Sequence, residues 1–415
     1  MLVVTANWGF TDGSLVAAAG GSRTARSWLA SVRSAVIRAG FGRDGAYRAP
    51  ETLEIVLAGD TFDCLTSATW QGPARPWHGG ARAAAERRHV LGRCARRAAP
   101  LLAGLARLID RGLQVPAADR RGRPAAAVTR QVPVRVAVLT GDRDSCLAEV
   151  TPEVTARGGV VTTVWDDGLT LVRHGHEFDP ACHLEEPWAA GDRPPTLAES
   201  VAVDLVVRFI AGIGGGAARS AALVEALVEA RVAEIPAVFA AWRAAGDATA
   251  AAAGLPWRDV ATAWRRGVDA WVRAARHDPP ECGIAASPVE TLAAWFAGMA
   301  AVPPPRSLGW LVEGGTGVGG GAGTQPVVLG HGGRMVAGGT SICLENAAVR
   351  RCCPVAVVRA DGAAEAACVA AVPVVTVPAT VVGRHDGGRV TWQRIAGAET
   401  PEIAPPCVSA IVDAA

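Results

Sequence analysis

Four short runs of this chain carry residues suited to one kind of chemistry. They are Gly59-Asp60-Thr61-Phe62-Asp63, Gly141-Asp142-Arg143-Asp144, His174-Gly175-His176-Glu177-Phe178-Asp179 and Gly330-His331. Carboxylates and imidazoles are oxygen and nitrogen ligands for ions such as Mn²⁺, Zn²⁺ and Fe²⁺. Phosphate esters are poor electrophiles and water is a weak nucleophile. Divalent ions answer both difficulties by lowering the pKa of water and neutralising phosphoryl oxygens, often as a pair about 3.5–4 Å apart. Each residue also has a plainer reading: an aspartate after glycine can simply cap a turn, and a histidine can be a satisfied core residue. Four such runs in order, each after an apolar segment, are a stronger signal than any one alone.

Chemistry of this kind needs strands that end where the ligands begin. Residues 53–58, 134–139, 169–173 and 326–329 read as short apolar strands, each running directly into one of the four blocks. A strand that breaks at Gly-Asp offers its side chain at the carboxyl edge of an α/β sheet, where such folds bind ligands. Residues 2–6 read as a further buried strand, followed by a Gly/Asp loop over 8–14. Helical spacing runs over 23–38 and 81–111, the latter stopping near Gly112, and 116–131 reads as an exposed loop with Pro116, Gly122 and Pro124.

Residues 196–299 are helical in pattern, with Trp242, Trp257, Trp264, Trp271 and Trp295 read as core. Pro303-Pro304-Pro305 closes that segment and a Gly-rich linker, 313–324, follows. The linker contains Gly315-Thr316-Gly317-Val318-Gly319-Gly320, a G-x-G-x-x-G that opens no helix and so lacks the context of a dinucleotide site. Residues 340–395 are Val-rich with turn residues at Asp361-Gly362 and Asp386-Gly387-Gly388, predicting antiparallel strands and hairpins.

At 415 residues, with 50% hydrophobic and 19% charged, the chain can bury a large core. A net charge of +2 gives no global field for polyanions, so no nucleic acid is expected. Local arginines, at Arg82, Arg87, Arg88, Arg93, Arg96 and Arg97, read as a solvated helix face. Ten cysteines show no C-x-x-C pair and read as free thiols in a reducing compartment. The first residues lack a secretory pattern. The longest apolar stretch, 201–213, carries Asp204 and Arg208 and is too short for a membrane span. A cytoplasmic protein is the expectation.

Taken with Leu2-Val3-Val4-Thr5-Ala6-Asn7-Trp8-Gly9, the blocks resemble, in order, the signature blocks of calcineurin-like metallophosphoesterases. That resemblance implies a four-layer α/β/β/α metallophosphoesterase sandwich with an α-helical insert. The phosphoesterase-like part would comprise 1–185 and 326–415, and the insert with its linker 186–325. It implies metal ligands at Asp60 (bridging), Asp142 (in place of an asparagine), His174 and His331, with Asp63 orienting loops. Arg143 stands where the family has a histidine near the leaving group. Arginine does not give up its proton at neutral pH but can clamp phosphoryl oxygens, so Arg143 and its neighbour Asp144 are the expected catalytic pair.

The family's Asp-x-His falls on Thr5 and Asn7, and the second histidine of its Gly-His-x-His falls on Gly333. One tightly held divalent ion is therefore expected, and a second only weakly, with Asn7 or Asp12 offering it an oxygen. His176 and His183 are read as supporting or surface residues, His78 and His89 as exposed, and Cys64 as packing. The His174–Asp179 block is similar to bacterial members near the UDP-diacylglucosamine pyrophosphohydrolase branch. The implied activity is hydrolysis of a phosphate ester or pyrophosphate in a phosphate-containing small molecule. The alternative is a catalytically impaired binding or scaffolding module that meets a protein partner on its helical insert.

Overall fold

The computed structural model describes residues 1–15, 21–42, 44–149, 158–168, 170–182, 191–214, 221–244, 256–282, 288–299, 305, 307, 327–329, 341–343, 380–386 and 389–394. In chain order the first elements are β1 (Leu2–Thr5), β2 (Phe10–Thr11), α1 (Gly21–Ala39), β3 (Leu53–Ala58), β4 (Phe62–Asp63) and α2 (Gly80–Arg111). Next come β5 (Leu113–Ala118), β6 (Pro124–Val132), β7 (Val134–Leu139), β8 (Val160–Thr162), β9 (Val164–Asp166) and β10 (Leu171–Arg173). The helical segment follows. It starts with α3 (Leu197–Ser200), which widens into a π turn over Val201–Val207 and resumes as α4 (Arg208–Gly212). It goes on through α5 (Ala221–Glu229), α6 (Ile235–Ala244), α7 (Trp257–His277) and α8 (Val289–Gly298). Short strands β11 (Val327–Leu329), β12 (Ser341–Cys343), β13 (Thr380–Asp386) and β14 (Arg389–Arg394) complete the described elements.

The fold is mixed α/β. One sheet has the order β14-β13-β1-β3-β7-β8, in which β1, β3, β7 and β8 are parallel, β13 is antiparallel to β1 and β14 antiparallel to β13. A second has the order β12-β11-β10-β9, parallel except for β9. Alternation along the central strands explains how the layers stack. Val3, Leu53, Ile55, Leu57, Val134, Val136 and Val138 face α1 and α2, packing against Trp28, Val32, Val90, Leu101 and Leu105. Their neighbours Leu2, Val4, Val56, Ala58, Ala137 and Leu139 face the other way, onto Val172 of β10 with Trp165 beside them. Helices, first sheet and second sheet thus form successive layers, and strands buried on both faces read as continuous apolar runs. Burial of each such Val, Leu or Ile contributes about 1.5–3 kcal/mol.

The helical segment buries its own core around Phe209, Phe239, Trp264, Trp271 and Phe296. Trp264 donates to the Phe296 carbonyl at 2.9 Å and Trp271 to Ser200 Oγ at 2.9 Å, so the indoles are core with their N–H groups satisfied. Buried Asp204, on the π turn, joins this segment to the α/β layers. Its Oδ1 accepts from Arg75 Nε at 3.0 Å and lies 2.9 Å from Arg75 Nη2, with Arg208 Nη2 at 3.2 Å. No described helix is long and apolar enough to cross a membrane.

Two local expectations are corrected. Most of 116–131 belongs to the antiparallel hairpin β5–β6. Its buried positions, Leu113, Val115 and Val132, lie at or beyond the ends of that run, and the turn is fixed by Asp119 Oδ1 accepting from Arg121 N and Arg123 N at 2.8 Å. In the Val-rich C-terminal part, among the described residues, β12 pairs parallel to β11 and β13–β14 forms an antiparallel hairpin. Such short apolar strands carry no signal for pairing direction. The Gly-rich linker, His183, Gly330, His331, Gly333 and Asp361-Gly362 lie outside the described residues.

Candidate metal centre

The site forms where β3, β7 and β10 end. Parallel β3 and β7 pair Ala58 with Leu139, so their following turns, Gly59-Asp60 and Thr140-Gly141-Asp142, emerge side by side. Each glycine is required by what lies against it. Gly59 has φ +87°, and a Cβ there would meet His174 Nδ1 at 2.2 Å. A Cβ on Gly141 would meet Asp60 Oδ1 at 2.1 Å and Asp60 N at 2.6 Å. Asp60 itself is left-handed, at φ +50°, a conformation aspartate tolerates better than most residues.

His174 is 1% exposed and held at both ring nitrogens. Nδ1 lies 2.9 Å from the Ala58 carbonyl, which fixes the proton there and turns Nε2 toward two carboxylates. Nε2 is 2.9 Å from Asp142 Oδ1 and 3.3 Å from Asp60 Oδ2. Burial pulls the His174 imidazole toward neutrality, but the Asp60 charge and hydrogen bonds to Asp142 and Asp60 hold it well above the ordinary histidine range. A cation is therefore favoured between these groups, and either a proton or a metal ion meets that demand.

Asp142, His174 and His176 each offer a ligand atom within 4.8 Å of the others, a group that could hold a metal ion. A carboxylate beside two imidazoles, with one imidazole anchored through its other nitrogen to a backbone carbonyl, fits a divalent transition ion. Among the sequence candidates, Asp60, Asp142 and His174 come together. His331 lies outside the described residues; β11 pairs Leu329 with Arg173, the residue just before His174.

The second residues of the blocks brace the loops. Asp63 is 1% exposed; Oδ1 accepts from Leu65 N and Thr66 N, and Oδ2 from Thr66 Oγ1 at 2.6 Å and Arg143 Nη1 at 3.1 Å. Arg143 also donates its backbone N–H to Asp60 Oδ1 at 3.0 Å, and its side chain stays 22% exposed. Burial works against the Arg143 charge, yet Asp63, Asp60 and Asp142 keep it firmly protonated.

Asp144 is held by backbone amides. It is fully buried, with Oδ1 accepting from Gly141 N at 2.6 Å and Oδ2 from Phe62 N at 3.2 Å. It ties the two Gly-Asp turns together. Burial and the Asp60 charge push its carboxyl up to about 7, against the two amide hydrogen bonds.

Asp12 is held in its loop by hydroxyls and an amide. Its Oδ1 accepts from Ser14 N and Ser14 Oγ and its Oδ2 from Ser67 Oγ at 2.8 Å. Asn7 lies alongside the first Gly-Asp turn: at φ 56° it donates its N–H to the Gly59 carbonyl at 3.2 Å, and Gly9 N reaches the Asp60 carbonyl at 3.0 Å. Cys182, read from sequence only as a free thiol, sits close enough to the site that Asp142, Asp60 and Arg143 act on it. Burial first, then Asp179, raise its thiol well above the ordinary range. Its place three residues after Asp179 was the available sequence signal. Compared with family models, curated proteins and solved structures, the chain returned no match.

Proposed function

We propose that this chain is a divergent metal-dependent phosphoesterase, similar in its site to calcineurin-like metallophosphoesterases and acting on a phosphate ester or pyrophosphate. The observation that carries the reading is the convergence of Asp60, Asp142 and His174 beyond the ends of strands β3, β7 and β10, drawn from two stacked sheets. The layer order helices, sheet, sheet supports the first three layers of a four-layer sandwich. A bound divalent ion would supply charge neutralisation at the phosphoryl oxygens and a lowered pKa for water. Asp142 and His174 would hold it, with Asp60 beside them. The Ala58 carbonyl keeps the His174 proton on Nδ1, leaving Nε2 for the ion. Arg143 would contribute the donors that Asp63 does not use to phosphoryl oxygens, with Asp63 fixing the fork.

One observation favours the second reading, a catalytically impaired binding module: Arg143 Nη1 is spent on Asp63 and so is not offered to a phosphoryl oxygen. A single series separates the two. Protein purified without chelator is assayed for metal by elemental analysis. It is then offered p-nitrophenyl phosphate, bis(p-nitrophenyl) phosphate and pyrophosphate with Mn²⁺ or Zn²⁺. Metal-dependent hydrolysis, abolished in Asp142→Asn and His174→Ala, is expected. Metal uptake with no hydrolysis of any of the three would transfer the case to the binding module. No uptake after soaking would end the metalloenzyme reading.

A further inference from the structure

We infer that His176 is itself a ligand, so that Asp142, His174 and His176 bind a single transition ion, of the Zn²⁺, Fe²⁺ or Co²⁺ kind, in preference to Mg²⁺ or Ca²⁺. This rests on the metal-binding part of the reading above and is independent of phosphoester chemistry.

The argument begins with the turn. Gly175 adopts φ 100° and ψ 0°, a left-handed conformation that favours glycine. It folds the chain so that the imidazoles on either side face one another, with ring centroids 5.3 Å apart and planes at 44°. Glu177 secures that turn: Oε2 accepts from Gly175 N at 3.0 Å and Oε1 from Arg173 Nη1 at 3.3 Å. The same Oε2 lies 3.7 Å from His176 Nδ1, so the carboxylate that holds the turn also faces the second imidazole.

Ligand atoms around one tetrahedral ion with bonds of about 2.1 Å are about 3.4 Å apart. Those of Asp142, His174 and His176 are within 4.8 Å of one another, so a contraction of at most about 1.4 Å closes the set. The His176 side chain is 17% exposed while His174 is nearly buried, so its ring has room to move inward, and the Asp142 Oδ1–His174 Nε2 pair, 2.9 Å apart, would open by about 0.5 Å.

Asp60 completes the surroundings without replacing His176. Its Oδ2 approaches His174 Nε2 at 3.3 Å, while its Oδ1 is committed to the Arg143 N–H. Two imidazoles to one carboxylate is a borderline donor set. Mg²⁺ and Ca²⁺ favour oxygen ligands, and Mg²⁺ keeps most of its water.

The test is a Co²⁺ titration of the full-length, chelator-stripped protein, followed by visible absorption and then by competition with Zn²⁺ and Mg²⁺. Wild type should take up about one Co²⁺, displaced by Zn²⁺ but not by an equal concentration of Mg²⁺. His176→Gln should weaken Co²⁺ binding by about tenfold or more, with the thermal midpoint of the metal-free protein unchanged. His176→Cys should add a thiolate-to-Co²⁺ charge-transfer absorption absent from wild type, a signature that altered packing would not produce. Wild-type affinity and spectrum in His176→Gln, with no new band in His176→Cys, would overturn the inference and leave the metal reading standing. Displacement of Co²⁺ by equal Mg²⁺ would overturn the selectivity. A wild-type protein that binds neither Co²⁺ nor Zn²⁺ would overturn both readings together.

Discussion

Adding one methyl group at Gly59 tests whether the backbone, rather than the ligands alone, builds this centre. At φ +87° any L side chain is strained, by about 1–2 kcal/mol. The new Cβ would also lie 2.2 Å from His174 Nδ1, 2.4 Å from Cγ and 2.7 Å from Cβ. Because the clash extends to the histidine's own Cβ, side-chain rotation cannot relieve it, and the turn or the end of β10 must shift. That shift breaks the 2.9 Å contact with the Ala58 carbonyl and the 2.9 Å contact with Asp142. Leaving a buried group unsatisfied costs about 1–3 kcal/mol.

Gly59→Ala should therefore lose about 2–5 kcal/mol of stability in all, the strain plus one unsatisfied group. Gly45→Ala is the control: it has φ +71°, nothing within 4 Å of its Cβ and an exposed position, so only the strain of about 1–2 kcal/mol applies. The assay is urea unfolding of both metal-free variants beside wild type, with Co²⁺ affinity measured on the folded proteins. Gly59→Ala should also bind Co²⁺ at least about tenfold more weakly, with Gly45→Ala unchanged. Equal stability losses in the two variants, with equal Co²⁺ affinity, would refute the claim that Gly59 seats His174.

Two further outcomes follow from the same geometry. In the metal-free protein His174 titrates above its ordinary 6.5, so its proton stabilises the fold fully below that pH, and the stabilisation is lost as pH rises through the higher folded value. The thermal midpoint of chelated wild type, relative to His174→Gln, should therefore decline as pH is raised from 6.5. A difference that is flat or grows over that range would contradict the assignment. Arg75→Ala leaves buried Asp204 with Arg208 alone and should cost about 3 kcal/mol, in the range for breaking a buried pair. Asp204→Ala added to it should cost less than the two single changes combined; simple additivity would show that the pair does not join the π turn to the α/β layers.

What the sequence determined by itself was the strand framework and the identity of the charged residues at its edge. Residues 53–58 and 134–139 are apolar because both faces of the first sheet are covered. Their boundaries were legible because Gly-Asp ends one directly and follows the other within two residues. The helices over α1 and α2 were legible from one-sided apolar spacing, and Gly112 ended α2 with φ +69°. Asp60, Asp142 and His174 could be picked out because each follows such a strand.

Tertiary structure decided which of the remaining residues face the centre, because that depends on loop conformation and pairing direction, and neither leaves a periodic signal. Asp144 and Asp12 have the right side chain for a ligand or catalyst. Amides captured one, and hydroxyls with an amide the other, once the loops packed. His176 was brought toward Asp142 by a left-handed Gly175, a choice of φ that the letters His-Gly-His permit but do not dictate. The β5–β6 hairpin was missed for the same reason. Its pairing is closed by Asp119 in a turn and by Tyr47, whose hydroxyl donates to the Pro116 carbonyl at 3.0 Å across 69 residues of chain.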